Sequence, residues 1–129
     1  MHFKAVYYSI HLFTPYKGWL KMKKIDSVEN FEELVQGKDV FWLVKHSLTC
    51  PISANAFDEY KQYVGENKDI DTYYLAVQEA RALSNYIAEK YQVKHESPQA
   101  LLFKNNHIAW HASHGKITVA SLQNAVNES

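Results

Sequence analysis

The sequence of 129 residues has one cysteine, three prolines and four glycines, and its acidic and basic side chains balance at 14 each. A single cysteine excludes an intramolecular disulfide framework and a cysteine-rich zinc or iron–sulfur site within one chain. It fits a reducing, cytoplasmic environment. Because charge of neither sign is in excess, nothing indicates nucleic acid or an anionic membrane as a partner. The N-terminal apolar run is far shorter than the roughly 20 residues of a membrane span.

With 47% hydrophobic residues, the chain is long enough for one well-formed core and too short for two ordinary domains, so we expect one domain, acting as a monomer. Its first 21 residues are rich in aromatic side chains. They lack the charged start and the cleavage pattern of a signal peptide, with only Lys4 ahead of the apolar run. Met22 offers a second plausible start. We therefore predict a domain over residues 22–129, preceded by a dispensable extension, residues 1–21, that is disordered or not native.

From Met22 onward, strand and helix patterns alternate. Local signals mark the element ends: Ser27 as a helix cap, Gly37 as a helix end, the pair Asn105-Asn106 as a hairpin turn with positive φ, and Thr118 as the last cap. The predicted strands cover residues 23–27, 39–46, 72–77, 100–104 and 107–111, and the predicted helices 28–36, 51–64, 80–93 and 118–126. The order is β-α-β-α-β-α-β-β-α. The nearly unbroken apolar run at 39–46, with Val40 to Val44 all apolar, predicts a central strand covered on both faces.

The single cysteine, Cys50, lies between this central strand and the second helix, in the segment Thr49-Cys50-Pro51-Ile52-Ser53. A helix N-terminus has free N–H groups and a partial positive charge, which favour thiolate over thiol. The pattern C-x-x-S is a C-x-x-C redox motif without its second sulfur. Such a thiol can take part in mixed disulfides but cannot close an internal one. The alternative is a free cysteine that packs as a small hydrophobic residue.

The element order, the Cys-Pro-x-Ser segment and a proline just before the closing hairpin together resemble the thioredoxin fold. The resemblance extends to residues 90–93 (Lys-Tyr-Gln-Val) and 97–106 (Ser-Pro-Gln-Ala-Leu-Leu-Phe-Lys-Asn-Asn). It implies an α/β fold with a central mixed sheet flanked by helices. It also implies that Pro98 is cis and that Pro98 and the backbone of Ser97 contact the substrate opposite Cys50.

More narrowly, Thr49 to Ser53 taken with Ser97-Pro98-Gln99-Ala100 resembles the monothiol bacilliredoxin family, also described as YtxJ-like bacillithiol-system proteins. The resemblance runs from Met22 to about Val126. It implies removal of bacillithiol from mixed disulfides on client proteins, with Cys50 as nucleophile. It implies no tightly bound cofactor, and bacillithiol only as a transient mixed disulfide on Cys50. The implied partners are bacillithiolated clients and a thiol reductant.

Residues around Cys50 are expected to assist it. Ser53 lies one turn into the helix, where its N–H or hydroxyl can stabilise the thiolate, or it is simply a helix-start residue. Pro51 suits the first helical position but removes one N–H, so the thiolate must be supported by the remaining donors, from Ile52 onward, and by the helix dipole. Thr49, next to the cysteine, is a predicted substrate contact.

Cationic side chains near the motif have two interpretations. Lys45 and His46 add positive charge near Cys50 or meet the carboxylates of bacillithiol, or they are polar residues where a strand leaves the core. Lys116 has a similar, weaker case. Among the seven histidines, His107 and His111 would share one face of a strand, but no matching carboxylate or thiolate group accompanies them, so we predict no metal site.

Two other classes of function stay open from the sequence. One is a thioredoxin-like adaptor that binds partners in the Ser97-Pro98 groove while Cys50 is incidental. The other is an analogue of the monothiol glutaredoxins in which two chains bridge an iron–sulfur cluster through Cys50 and external thiols. That family has Gly after the cysteine, and Pro51 here counts against it.

Overall fold

A five-stranded mixed sheet forms the centre of the structure, a computed structural model that describes residues 22–128. The strands are β1 (Lys23–Lys24), β2 (Val40–His46), β3 (Asp71–Ala76), β4 (Gln99–Lys104) and β5 (His107–Ser113). The helices are α1 (Val28–Gly37), α2 (Pro51–Glu66), α3 (Arg81–Tyr91) and α4 (Val119–Glu128), with a 3₁₀ turn (His114–Lys116) before α4. The predicted α/β fold class and element order are confirmed. The predicted N-terminal extension lies outside the described residues.

The strands are arranged in the order β1-β3-β2-β4-β5. β1 and β2 run parallel to β3, whereas β4 runs antiparallel to β2 and β5 antiparallel to β4. In this register His46 pairs with Ala76 of β3, and Lys45 pairs with Gln99 of β4. The ends of β2 and β3 and the beginning of β4 therefore meet at one end of the sheet. The loop that leads to Cys50 leaves from this end.

The central strand β2 is covered on both faces, as its nearly unbroken apolar sequence predicts. Phe41 and Leu43 belong to the core shared with α1 and α3, while Trp42 and Val44 belong to the core shared with α2 and α4. In the first core, the ring of Phe31 contacts four other aromatic rings edge-on, with centroid separations between 5.5 and 6.5 Å. Two separate cores thus hold the sheet between two pairs of helices.

Local signals in the sequence set most element ends. The Ser27 hydroxyl accepts a hydrogen bond from the Asn30 N–H at 3.0 Å, and Thr118 caps α4 in the same way through the Ser121 N–H at 3.0 Å. Asn105 and Asn106 have φ values of 48° and 63°, which makes the tight hairpin turn. Gly37 is the last residue of α1, one residue beyond the predicted range, and the extended residue Lys38 follows it as the C-cap.

Two strands differ in length from their predictions. β1 is only two residues long because it pairs with β3 at Lys23 and Lys24 before the chain turns into the cap of α1. β5 extends to Ser113 because Ala112 and Ser113 still pair with Ala100 and Gln99. Within residues 22–128 no helix is both long and apolar enough to span a bilayer.

Candidate active site

Cys50 is the residue immediately before α2, in an extended conformation with φ −102° and ψ 122°. Its thiol is free and half-buried, and its carbonyl accepts the Ala54 N–H at 3.0 Å, the first hydrogen bond of the helix. Pro51 occupies the first helical position as predicted, because a proline there gives up an N–H that has no partner within the helix. The thiol is thus at the positive end of a helix of 16 residues.

The serine of the C-x-x-S pattern faces inward. Ser53 has an exposed fraction of 0%, its hydroxyl accepts the Ser47 N–H at 2.8 Å, and it lies 2.9 Å from Nδ1 of His46. This hydroxyl therefore joins the first turn of α2 to the end of β2. The prediction that Ser53 also stabilises the thiolate stays a prediction.

His46, at the end of β2, contacts α2 through both Ser53 and Phe57. Its imidazole stacks on the ring of Phe57 with a centroid separation of 4.2 Å. Burial lowers the pKa of His46, the nearby charge of Lys61 lowers it further, and Asp58 opposes them. These effects favour the neutral imidazole over the charged form. This geometry supports a hydrogen-bonding role for His46 better than the expected positive charge near Cys50.

The segment between β2 and Cys50 is held by a residue that sequence reasoning missed. Gln78, which follows β3, donates from Nε2 to the hydroxyls of Ser47 at 2.9 Å and Thr49 at 3.4 Å. Its Oε1 accepts the Leu48 N–H at 3.0 Å. Nothing in the sequence distinguishes this glutamine from any other polar turn residue, since only the pairing of β2 with β3 brings it close.

Ser97 and Pro98 reach the same end of the sheet as Cys50. Their peptide bond is cis, as the resemblance implies, and the carbonyl of buried Pro98 accepts the His114 N–H at 3.1 Å. β4 begins one residue later, opposite Lys45. The Ser97 hydroxyl oxygen is buried and has no hydrogen-bond partner within residues 22–128. The contact of this pair with a substrate stays a prediction.

The side chain of Lys45 is directed toward α3. Its side chain is 1% exposed, and Nζ donates to the Ser84 carbonyl of α3 at 3.0 Å and lies 3.3 Å from Nδ1 of His95. Burial lowers its pKa to about 8. Because the ammonium is enclosed between the sheet and α3, this placement does not support the expected contact with a bacillithiol carboxylate.

An open groove of about 650 Å³ runs between α2 and the segment from His114 to Thr118. It begins at Ile52, two residues after Cys50, and its walls include Asn55 and Glu59 of α2. Ile52 and Leu48, on either side of Cys50 in the chain, are each 52% exposed. Two exposed apolar side chains thus stand two residues before and two residues after Cys50 in the chain. Lys116 is exposed beside this groove.

The histidines and carboxylates of residues 22–128 do not form a metal-binding group. Among the residues that the structure describes, no three His, Cys, Asp or Glu side chains are placed to hold one ion. His107 and His111 are exposed on β5, and Nε2 of His114 lies 3.4 Å from a carboxylate oxygen of Glu96.

Comparison with known proteins finds a matching family model and similar solved structures. Residues 23–122 match the family model described as monothiol bacilliredoxin BrxC. A solved structure described as a candidate oxidoreductase with a thioredoxin fold is 45% identical, superposes with a TM-score of 0.79, and the match covers 84% of this chain and 96% of the other.

Thioredoxins are more distant matches. Oxidised mitochondrial thioredoxin 3 from Saccharomyces cerevisiae is 13% identical, with a TM-score of 0.68 and coverage of 87% of this chain and 99% of that chain. Thioredoxin from Trypanosoma brucei brucei is 11% identical, with a TM-score of 0.67 and coverage of 83% and 88%. At this identity, the two matches show the fold alone.

A thioredoxin fold whose only cysteine begins the helix after the central strand defines a single-thiol oxidoreductase. The family match covers the sheet, α1 to α3 and the whole of the site just described. This chain belongs to the monothiol bacilliredoxin family.

Proposed function

We propose that this protein removes bacillithiol from mixed disulfides on client proteins, through Cys50. The observation that supports this most strongly is the free, half-buried thiol at the N-terminus of α2 in a chain that belongs to the monothiol bacilliredoxins. The cytoplasm is the proposed place of action, since a lone thiol that must stay reduced suits that compartment.

The reaction is a thiol–disulfide exchange. The Cys50 thiolate attacks the bacillithiol sulfur of the mixed disulfide, a new S–S bond forms between Cys50 and bacillithiol, and the bond to the client breaks. The client leaves as a thiolate and takes a proton from solvent. Because the chain has no second cysteine, an outside thiol must then attack the adduct and supply the electrons that restore Cys50.

The residues around the thiol have distinct proposed roles. The N–H groups that follow Pro51, from Ile52 and Ser53, stabilise the thiolate together with the helix dipole. The backbone at Ser97 and Pro98 holds the client chain in an extended form. Thr49, whose hydroxyl accepts a bond from Gln78, lies on the exposed rim of the site.

The test is transfer of bacillithiol from a defined client. After incubation with a bacillithiolated client protein, we expect mass spectrometry to show an adduct of bacillithiol mass on Cys50, and the adduct to persist until a thiol is added. Cys50→Ser should abolish transfer, while Asn124→Ala, on the exposed side of α4, serves as the control and should transfer at the parent rate.

Two outcomes would contradict the proposal. Release of bacillithiol from the client by Cys50→Ser at the parent rate would remove Cys50 from the mechanism. Client binding without any adduct on the parent protein would favour the adaptor instead.

A further inference from the structure

Within residues 22–128, a buried ammonium group without a carboxylate partner contacts the segment that leads to Ser97 and Pro98. Lys45 is 1% exposed, and within residues 22–128 no carboxylate forms an ion pair with it. A charge removed from water is costly unless its hydrogen bonds compensate it. The five residues of β2 before Lys45 are all apolar, so the groups that compensate this buried charge must come from other elements.

Three elements meet at this ammonium. Lys45 of β2 donates to the Ser84 carbonyl at 3.0 Å, and both Nζ of Lys45, at 3.3 Å, and Oγ of Ser84, at 3.1 Å, converge on Nδ1 of His95. An ammonium group can only donate, so Nδ1 must be the acceptor, which requires a neutral imidazole with its proton on Nε2. The cluster of Lys45, Ser84 and His95 therefore connects the sheet, α3 and the segment that precedes β4.

The segment held in this way is the one that carries Ser97 and Pro98. Gln99, opposite Lys45 in the sheet and 1% exposed, donates to the Lys94 carbonyl at 3.0 Å and accepts the Glu96 N–H at 3.4 Å. The backbone of residues 94–96 is thus tied to the start of β4 by Gln99, and its His95 side chain is tied to β2 by Lys45.

We propose that Lys45 is a positioning residue: through His95 and Ser84 it fixes residues 94–98 against the sheet, so that the Ser97-Pro98 pair meets a client chain in the geometry that exchange at Cys50 requires. This inference rests on the proposed thiol–disulfide exchange but not on bacillithiol as the small thiol. It replaces the direct substrate contact expected for Lys45 with an indirect role.

The test separates a reaction in which the substrate chain contacts Ser97 and Pro98 from a reaction that needs only the Cys50 thiol. The first probe is a peptide in mixed disulfide linkage with thionitrobenzoate; its exchange with Cys50 releases the chromophore. The second probe is iodoacetamide, which alkylates Cys50 without contacting the Ser97-Pro98 backbone. For Lys45→Met we expect the peptide reaction to slow at least ten-fold, while alkylation stays within two-fold of the parent. Lys68→Met is the control, because it makes the same change at an exposed lysine that precedes β3 and is outside residues 94–98, and it should match the parent in both reactions.

A second variant removes the contact between Lys45 and His95 by changing His95. His95→Phe removes the acceptor and should slow the peptide reaction as Lys45→Met does. The double variant should be no slower than either single one, because both changes remove one connection. Parent-like peptide exchange in either single variant, or additive effects in the double variant, would overturn the proposal. If Lys45→Met does not fold, the result for His95→Phe decides.

The His95 imidazole gives a readout that does not depend on activity. Burial and the charge of Lys45 lower the pKa of His95, Arg81 lowers it further and Glu96 raises it. We expect NMR to show the Nε2–H form in the parent and an upward shift of the His95 pKa in Lys45→Met. An unchanged pKa would mean that the two groups are not in contact in solution. If the parent exchanges with the peptide but never accepts bacillithiol, the proposed substrate fails and the positioning role still stands.

Discussion

Replacing Ser53 with alanine tests whether the inward-facing hydroxyl holds the cysteine segment together. In the parent, this oxygen accepts the Ser47 N–H at 2.8 Å and meets Nδ1 of His46 at 2.9 Å, and the side chain has an exposed fraction of 0%. Ser53→Ala removes both hydrogen bonds and leaves a space the size of one oxygen atom. The Ser47 N–H and His46 Nδ1 then lose this partner at the end of β2.

The expected cost follows from these two contacts. A typical intramolecular hydrogen bond contributes about 0.5–1.5 kcal/mol, and a buried donor left without a partner costs about 1–3 kcal/mol. We therefore expect the free energy of unfolding to fall by about 2 kcal/mol. Because Gln78 still holds Ser47, Leu48 and Thr49, the segment should remain ordered and the fold intact.

Urea denaturation of parent and variant, followed by circular dichroism, measures the difference directly. Ala54→Ser is the matched control, since it adds a hydroxyl at the neighbouring exposed position and should change stability by no more than about 0.5 kcal/mol. If Ser53→Ala loses no more than Ala54→Ser does, the hydroxyl does not anchor the end of β2 in the way the structure indicates.

Two further predictions concern the buried charge of Lys45 and the core beside α1. The pKa of Lys45 is about 8 in the folded protein against 10.5 when exposed, so the unfolded chain binds more protons between these pH values. The stability of the parent therefore rises with pH in this range, whereas Lys45→Met lacks this contribution. The stability of Lys45→Met relative to the parent should thus decrease by on the order of 2 kcal/mol from pH 7.5 to pH 10, and a pH-independent difference in urea denaturation would contradict the burial of a charged amine. Phe31→Ala removes a fully buried ring that contacts four others, so unfolding experiments should show a loss of about 3–5 kcal/mol, and a loss below about 1 kcal/mol would mean that the α1 core is not packed as described.

The fold was largely readable in the sequence because its signals are local. A proline at the first position of α2, a serine before α1 and two asparagines at the hairpin each act through the backbone of their immediate neighbours. The apolar run of β2 likewise predicted burial on both faces. The position of Cys50 at the start of a helix followed from these signals alone. The cis bond between Ser97 and Pro98 was implied by the resemblance and not by local signals.

Only the tertiary structure decided which hydrogen bonds are made by Lys45 and Gln78. In a strand covered on both faces, the sequence pattern does not distinguish a lysine that reaches solvent from one that is buried. The register of β2 against β3 and β4, together with the packing of α3, directs Lys45 inward to His95, 50 residues away. Gln78 reaches Ser47 across 31 residues. Hydrogen bonds between such distant residues leave no periodicity or spacing in the sequence, because their geometry exists only after the sheet has formed.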